Sequence, residues 1–393
     1  MKNILWLHSH FLYWMGGTKF IYQIISRLNK HIPVTVIVEN YSKEVEQNYQ
    51  KENIKLIKTI NITSTSPLYW LFLPRYIKKN YEKIRNLVDR DTILISSMFP
   101  MNAIYNMVRR ENKDFGIPIY QYIFEPFAFI HDNDLIDNLP LAKKIFTKYV
   151  ARRFRDFEIN ETRKSDKIFT LNDITKDAIK KIYGRDAIPT FTGIDIDFFK
   201  HYETPDLEEK YKGKRILIHS TDFSPIKGTD MIIKALPKVT EKYPNVLLLI
   251  TSTINDKQGW GKIRDLAYKL KIIENIQYLG FLPYEDLPRY YSFAEALLQS
   301  GIGGSGATSF SLPVKEALAC ETPVIRHPIT TEDAEHMISG LLIDSKDTRK
   351  YADGIIWILD HPKEAKAMGK RGREKIAKKF IWDNVIKIIL ENI

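Results

Sequence analysis

Three stretches of this 393-residue chain combine glycine, hydroxyl and basic residues in ways suited to a phosphate-bearing ligand. Gly301-Ile302-Gly303-Gly304-Ser305-Gly306-Ala307-Thr308-Ser309 interleaves four glycines with hydroxyls. Its bare backbone N–H groups could cradle an anion. No Gly-Lys-Ser/Thr closes the stretch, so it is not a P-loop, and a lid is the competing reading. Asp222-Phe223-Ser224-Pro225-Ile226-Lys227-Gly228 sets Lys227 in a Pro-Gly turn. An ammonium there could neutralise phosphate charge, or it could simply be solvated. Gly16-Gly17-Thr18 would let backbone approach an anion, although two glycines also make an ordinary turn. For proton transfer, Glu125, His131 and Asp132 fall close together and could face a reacting hydroxyl, with a surface-loop histidine as the competing reading. Arg326 and His327 offer positive charge, or loop solvation.

The elements that must position these residues show as alternating short apolar runs and helical patterns. Strands are expected at 4–7, 34–38, 93–96, 117–122 and 167–170, with a helix at 20–28 where Phe20, Ile24 and Leu28 fall at turn spacing. The pattern restarts with strands at 215–219, 246–251, 276–279, 296–299, 323–326 and 340–343. Helices are expected at 229–242, 260–270, 287–293, 314–319, 350–360 and 363–379. Such alternation implies parallel sheets covered on both faces. The expected fold class is therefore α/β: two doubly wound Rossmann-like domains with a cleft between them, residues 1–195 and 196–379. The apolar segment 380–393 is expected to fold back onto the first. Each glycine-bearing loop follows a strand, where doubly wound sheets bind ligands.

Composition narrows the partners. A hydrophobic fraction of 44% and a charged fraction of 27% are globular values and exclude a collagen-like or disordered chain. The single cysteine, Cys320, forbids an intramolecular disulfide and the paired spacings of a zinc cluster, which suits a cytosolic protein. No apolar run reaches the length of a membrane span, and the start lacks the features of a secretory signal. Residues 1–200 hold 31 Lys and Arg against 22 Asp and Glu, whereas residues 201–393 hold 28 against 26. Excess positive charge in the first half favours an anionic partner, and ordinary solvated lysines are the competing account. Trp70–Leu73, followed by Arg75, Lys78, Lys79, Lys83 and Arg85, could lie on an anionic membrane surface with aromatics inward. No nucleic-acid-binding module is visible.

Several dispersed motifs, in order, resemble retaining GT-B glycosyltransferases of family 4 (group 1). Gly16-Gly17 is similar to that family's double-glycine loop. Tyr183-Gly184-Arg185-Asp186-Ala187, then Gly193-Ile194-Asp195 and Phe198-Phe199, resemble its linker region. Ser224-Pro225-Ile226-Lys227-Gly228 and Gln277-Tyr278-Leu279-Gly280 match its lysine loop and the strand before its donor site. The run from Phe310 to Ile325 tracks its helix-and-strand motif around Glu316, and Lys379-Phe380-Ile381-Trp382 its last helix.

The resemblance implies an acceptor bound by the first domain and a nucleotide-sugar by the second, without a cofactor or metal. Glu316 would contact the donor ribose and Lys227 the diphosphate. The donor set would be Gly16, Gly17, Lys227, Gly228, Gly280, Ser300, Gly306, Thr308, Ser309, Phe310 and Glu316, and the catalytic set Glu125, His131, Lys227 and Glu316. The implied reaction moves a hexose to a lipid-linked or glycan acceptor, in the cytoplasm or at the inner membrane face. Four positions depart from the family: Asp222 replaces an arginine, Thr308 a glutamate, Phe124 a histidine and Glu321 a glycine. The alternatives are a non-catalytic GT-B subunit and a sugar-nucleotide epimerase.

Overall fold

The computed structural model describes residues 2–14, 16–224, 227–252, 256–301, 312–328 and 333–393. The chain divides into two compact units, Met1–Phe191 with Trp382–Ile393, and Thr192–Ile381.

The first unit is built on a parallel sheet of β1 (Asn3–Phe11), β2 (Val34–Tyr41), β3 (Lys55–Lys58), β4 (Thr92–Ser96), β5 (Ile119–Ile123), β6 (Lys167–Thr170) and β7 (Ile188–Pro189), in the order β3-β2-β1-β4-β5-β6-β7. Ile4, Leu5, Trp6 and Leu7 are all buried although successive side chains point to opposite faces, so helices cover both sides of the sheet. The helix Gly16–Leu28 covers one side with Phe20, Ile21, Ile24, Ile25 and Leu28. The last helix of the chain, Trp382–Leu390, packs on that helix: the Trp382 ring lies 5.5 Å from Phe20 and 4.9 Å beneath the Arg27 guanidinium. Lys167 Nζ donates to Asn392 Oδ1 at 3.2 Å just beyond it.

The second unit repeats the plan with β8 (Arg215–Thr221), β9 (Val246–Ser252), β10 (Ile276–Gly280), β11 (Ala296–Gln299), β12 (Val324–Arg326) and β13 (Gly340–Leu342), in the order β10-β9-β8-β11-β12-β13. Its core gathers Leu217, Ile232, Leu248, Leu298 and Ile355 from strands and flanking helices. The segment entering this unit is pinned by Arg373, which donates to Phe199 O at 3.0 Å, Ile196 O at 3.2 Å and Ala319 O. Asp195 Oδ1 accepts the N–H groups of Asp197 and Phe198, each at 3.1 Å, and turns the chain there.

The structure departs from the sequence expectation at several elements: β3, β7 and the helices Lys43–Lys51, Met101–Glu111 and Asp173–Tyr183 lie outside the expected set. β1 continues to Phe11, through the polar residues His8, Ser9 and His10. The 23-residue helix Leu141–Arg163 was not expected, because its buried face mixes Val150, Ala151 and Phe154 with Thr147, Glu158, Glu161 and Thr162 and interrupts the apolar period. The expected lipid-facing aromatics at 70–73 are corrected in part: Trp70 and Leu73 are buried. Trp70 Nε1 donates to Ser64 O at 2.8 Å, and its ring sits 5.5 Å from Phe127 and 6.1 Å from Phe154. A large ring that meets its one polar need indoors is more stable there than in water. No described helix is long and apolar enough to cross a membrane.

Candidate functional site

In the second unit β9 and β10 lie on one side of β8, and β11 to β13 on the other. Loops leaving β8 and β11 therefore part in opposite directions, and a crevice opens beyond Thr221 and Gln299. The loop after β8 carries Asp222 and Lys227 and leads into the helix Thr229–Lys242, whose first-turn N–H groups and positive dipole end face the crevice. The chain leaving β11 carries Ser300.

The two sides are locked together. Ser300 Oγ lies 2.5 Å from Gly228 O and 3.2 Å from Lys227 O, and Ser300 O in turn accepts from Ser345 Oγ at 2.8 Å. Gly228 has φ +63°, and a Cβ there would come within 2.7 Å of Ser300 O. Backbone conformation and space both demand glycine at this position.

Beneath the loop, proton positions can be assigned from one end. His219 Nδ1 is 2.8 Å from Leu298 O, which can only accept, so Nδ1 carries the proton. Burial lowers the His219 pKa to about 4, with Lys227 adding to the effect, and the neutral ring's Nε2 must accept from Thr229 Oγ1 at 3.0 Å. Thr221 Oγ1 must then donate to Thr229 Oγ1 at 2.9 Å, and it accepts the Phe223 N–H at 2.9 Å. This chain fastens the start of the loop to the helix and to β11. Sequence reading missed it, because the only signal is a histidine and two threonines flanking the Pro-x-Lys-Gly turn.

Glu316 stands on the helix Leu312–Ala319 and is buried. Its Oε2 accepts from the Tyr291 hydroxyl at 3.1 Å, and that hydroxyl also neighbours Ser220 of β8. Burial raises the Glu316 pKa to about 7 against this one hydrogen bond. Tyr284 is the nearby aromatic that sequence reading overlooked. It stacks on Phe198 with centroids 5.0 Å apart, and burial, then Glu316 and Asp195, push its hydroxyl pKa up. The Phe198-Phe199 motif thus buttresses Tyr284.

Charges near the site are distributed unevenly. Lys227 forms no ion pair with any described residue, leaving its ammonium available to a ligand. Asp222 Oδ1 accepts the Ser224 N–H at 2.9 Å and hydroxyl at 2.5 Å, so that carboxylate oxygen is turned into its own loop. Arg326 is not offered to a ligand as its position after a strand suggested: it pairs with Asp333, which Lys315 also reaches at 3.2 Å, and all three are buried. Burial alone would raise the Asp333 pKa, and the two cations outweigh it and hold the carboxyl low.

The remaining expected residues fall elsewhere. Gly280 ends β10 at φ +73°, with its carbonyl accepting from Thr251 Oγ1 at 3.3 Å. Gly306, Thr308, Ser309 and Phe310 lie outside the described residues. Gly16, φ +30°, and Gly17 open the helix after β1 in the first unit, and a Cβ on either would meet nothing within 4 Å. Glu125 is half-buried beyond β5.

His131 requires a correction. It ends the helix Ala128–His131 with Nε2 2.8 Å from Glu158 Oε2, while Tyr183 donates to Glu158 Oε1 at 2.6 Å. A buried carboxylate needs such partners, and satisfying it occupies the imidazole Nε2 inside the first unit. Sequence reading also missed two groups at the carboxyl ends of the first sheet. Burial, then His10, lowers the His8 pKa to about 3, and the buried His8 Nδ1 has no hydrogen-bond partner among the described residues. Burial raises the Glu39 pKa to about 7, although Tyr69, Ser9 and Asn80 donate to it at 2.7, 3.0 and 2.9 Å.

Comparison with known proteins agrees with the resemblance read from the sequence. Residues 203–375 match the family model of glycosyl transferases group 1. A GDP-mannose-dependent monoacylated alpha-(1-6)-phosphatidylinositol monomannoside mannosyltransferase of Corynebacterium glutamicum is 27% identical over 240 residues, 56% of this chain and 59% of that protein. A D-inositol 3-phosphate glycosyltransferase of Saccharomonospora viridis is 24% identical over 244 residues, 58% of this chain and 55% of that protein. The chain thus spans little more than half the length of these relatives. Among solved structures, a glycosyltransferase from Rickettsia africae superposes with a TM-score of 0.76 at 17% identity, covering 99% of this chain and 97% of that one. Anabaena HepE in complex with UDP gives 0.75 at 14%, covering 99% and 98%. The α/β fold class, two doubly wound sheets of the GT-B type, is shared with these structures.

Proposed function

We propose that the chain is a glycosyltransferase that moves a hexose from a nucleotide-sugar to a lipid-linked or glycan acceptor, with retention and without a metal. The observation that carries this reading is the placement of Lys227 and Glu316. Both stand on elements that flank the β8/β11 crevice, within the segment matching group 1 glycosyl transferases. Lys227 and the N-terminus of the helix Thr229–Lys242 supply positive charge where a leaving diphosphate would develop negative charge. Glu316, with a pKa near neutrality, can hydrogen-bond a ribose hydroxyl as acceptor or donor. The first unit takes the acceptor. The names of the similar proteins, which include a lipid mannosyltransferase and a UDP complex, support the substrate classes.

The test is thermal unfolding with UDP, GDP, ADP and their sugar conjugates in EDTA. A ligand that binds only the folded state, at a hundred times its dissociation constant, stabilises by about 2.7 kcal/mol. One nucleotide family should shift wild type and not Glu316→Ala. A shift that survives in the variant removes Glu316 from the donor site, and a shift that needs added metal removes metal independence.

A second reading, a non-catalytic subunit, draws on Phe124. Where the resembled family carries histidine, this ring packs 5.6 Å from Phe20 and 5.3 Å from Tyr122. Product formation by the purified chain, absent in Lys227→Ala, would eliminate it.

A further inference from the structure

Exposed large apolar side chains are concentrated in the first unit, on two neighbouring helical segments. Leu141, Ile145 and Tyr149, exposed by 74, 62 and 48%, follow one another at four-residue spacing and form a stripe along the first half of the helix Leu141–Arg163. Leu68, Leu71 and Phe72, each about half exposed, crown the helix Pro67–Leu71 and its exit. Both segments cover the same core, where buried Trp70 of the second touches Phe154 on the inner face of the first, with centroids 6.1 Å apart. Both follow the carboxyl ends of strands, Pro67–Leu71 after β3 and Leu141–Arg163 after β5, which is the end of the sheet where ligands bind.

Basic residues outnumber acidic ones here, although Asp137 and Asp156 lie among Lys148, Arg152 and Arg155. Residues 141–155 contain six Lys and Arg and no acidic residue, and residues 67–81 contain three and none. Lys144 and Lys148 share the single carboxylate of Asp137, at 3.1 and 3.0 Å, so the pair stays net positive. Arg152, in the same helical row as Ile145 and Tyr149, forms no ion pair with described residues. Ordinary helix faces hide their apolar residues in the core and mix charge signs outside. Apolar anchors set in a surface with an excess of cations fit an anionic lipid interface, apolar tips in the acyl boundary and cations at the phosphates.

We propose that the exposed stripe Leu141, Ile145 and Tyr149 of the first unit, with the basic residues beside it, docks on an anionic phospholipid bilayer. The proposal rests on the transferase reading and deepens it: the acceptor reaches the first unit from the membrane plane.

The test is co-sedimentation of the full chain with vesicles of phosphatidylcholine alone or mixed with phosphatidylglycerol. Wild type pellets with the anionic vesicles and is released by high salt, because surface attraction is screened. Ile145→Asp/Tyr149→Asp lowers the partition coefficient at least about ten-fold, as does Lys148→Glu/Arg152→Glu. Tyr268→Asp, an equally exposed aromatic in the second unit, pellets as wild type. Wild type remaining in the supernatant overturns the proposal. So does unaltered binding by the stripe variant, or a wild-type dimer that Ile145→Asp/Tyr149→Asp dissolves without any vesicle binding. The nucleotide-sugar thermal shift, measured on the same proteins without vesicles, separates the two readings. Lost vesicle binding with an intact shift sinks only the surface, and vesicle binding without a shift sinks only the transferase.

Discussion

Glu316 and His131 entered as candidates of the same kind, titratable groups on segments following strands, and the structure separates them by their neighbours. His131 and Glu158 satisfy each other in the core of the first unit, whereas Glu316 has one hydroxyl partner, Tyr291, and no cation among its described partners. The consequence for Glu316 is measurable. Its folded pKa of about 7 stands above the ordinary 4.5. Between those values the folded state keeps a proton that the unfolded chain has lost, so stability falls as pH rises through that window. The deficit is complete above about pH 7 and is worth roughly 3 kcal/mol. Glu316→Gln keeps an acceptor for Tyr291 and cannot ionise. It should be more stable than wild type at pH 8 by up to that amount and nearly equal to it at about pH 4 in urea titrations. The same difference at both pH values would show that the carboxyl is not held protonated. Glu39 titrates in both proteins and cancels from the comparison.

Loops and helix starts acquire their meaning at the scale of the element. The Asp222–Gly228 loop is held by the Thr221–Thr229–His219 chain at one end and by the Gly228–Ser300 contact at the other. Two glycines make a controlled pair: Gly228 and Gly213 both have left-handed φ, +63° and +78°, but only Gly228 has a neighbour where a Cβ would go. Gly213→Ala should cost the backbone strain alone, about 1 kcal/mol, and leave nucleotide-induced shifts unchanged. Gly228→Ala adds the clash with Ser300, should cost about 2–4 kcal/mol, and should abolish those shifts. Equal denaturation midpoints for the two variants would mean that the Ser300 contact does not hold the loop.

For the molecule as a whole, the chain's end completes its beginning. Val385, Ile386 and Ile389 of the last helix are buried in the first unit. At about 1.5–3 kcal/mol each, their loss is comparable with the whole stability of a domain. Deleting residues 382–393 should therefore open the first unit to limited proteolysis while the second, which keeps its six-stranded sheet and core, resists. Mass spectrometry of the fragments would decide it: resistance of both units, or cleavage beginning in the second, would show that the last helix is dispensable.

The alternation of apolar runs with glycine-bearing turns determined the α/β class and the inner strands of both sheets with the loops that follow them, because hydrophobic period and turn chemistry are local properties of a chain; the short strands β3 and β7 carry too little of that period to show. Lys227, Gly228, Ser300 and Glu316 were legible for the same reason, each lying in a short motif. The tertiary structure alone decided which polar residues meet inside. Thr221, Thr229 and His219 come together across a helix start, Tyr291 reaches Glu316 from another helix, and Glu158 claims His131 from 27 residues away. The helix Leu141–Arg163 stayed hidden for the related reason that its inner face is partly polar, its glutamates and threonines being satisfied by groups distant in sequence. A buried polar atom must find a partner, and packing across the fold chooses which one; sequence spacing carries no record of that choice.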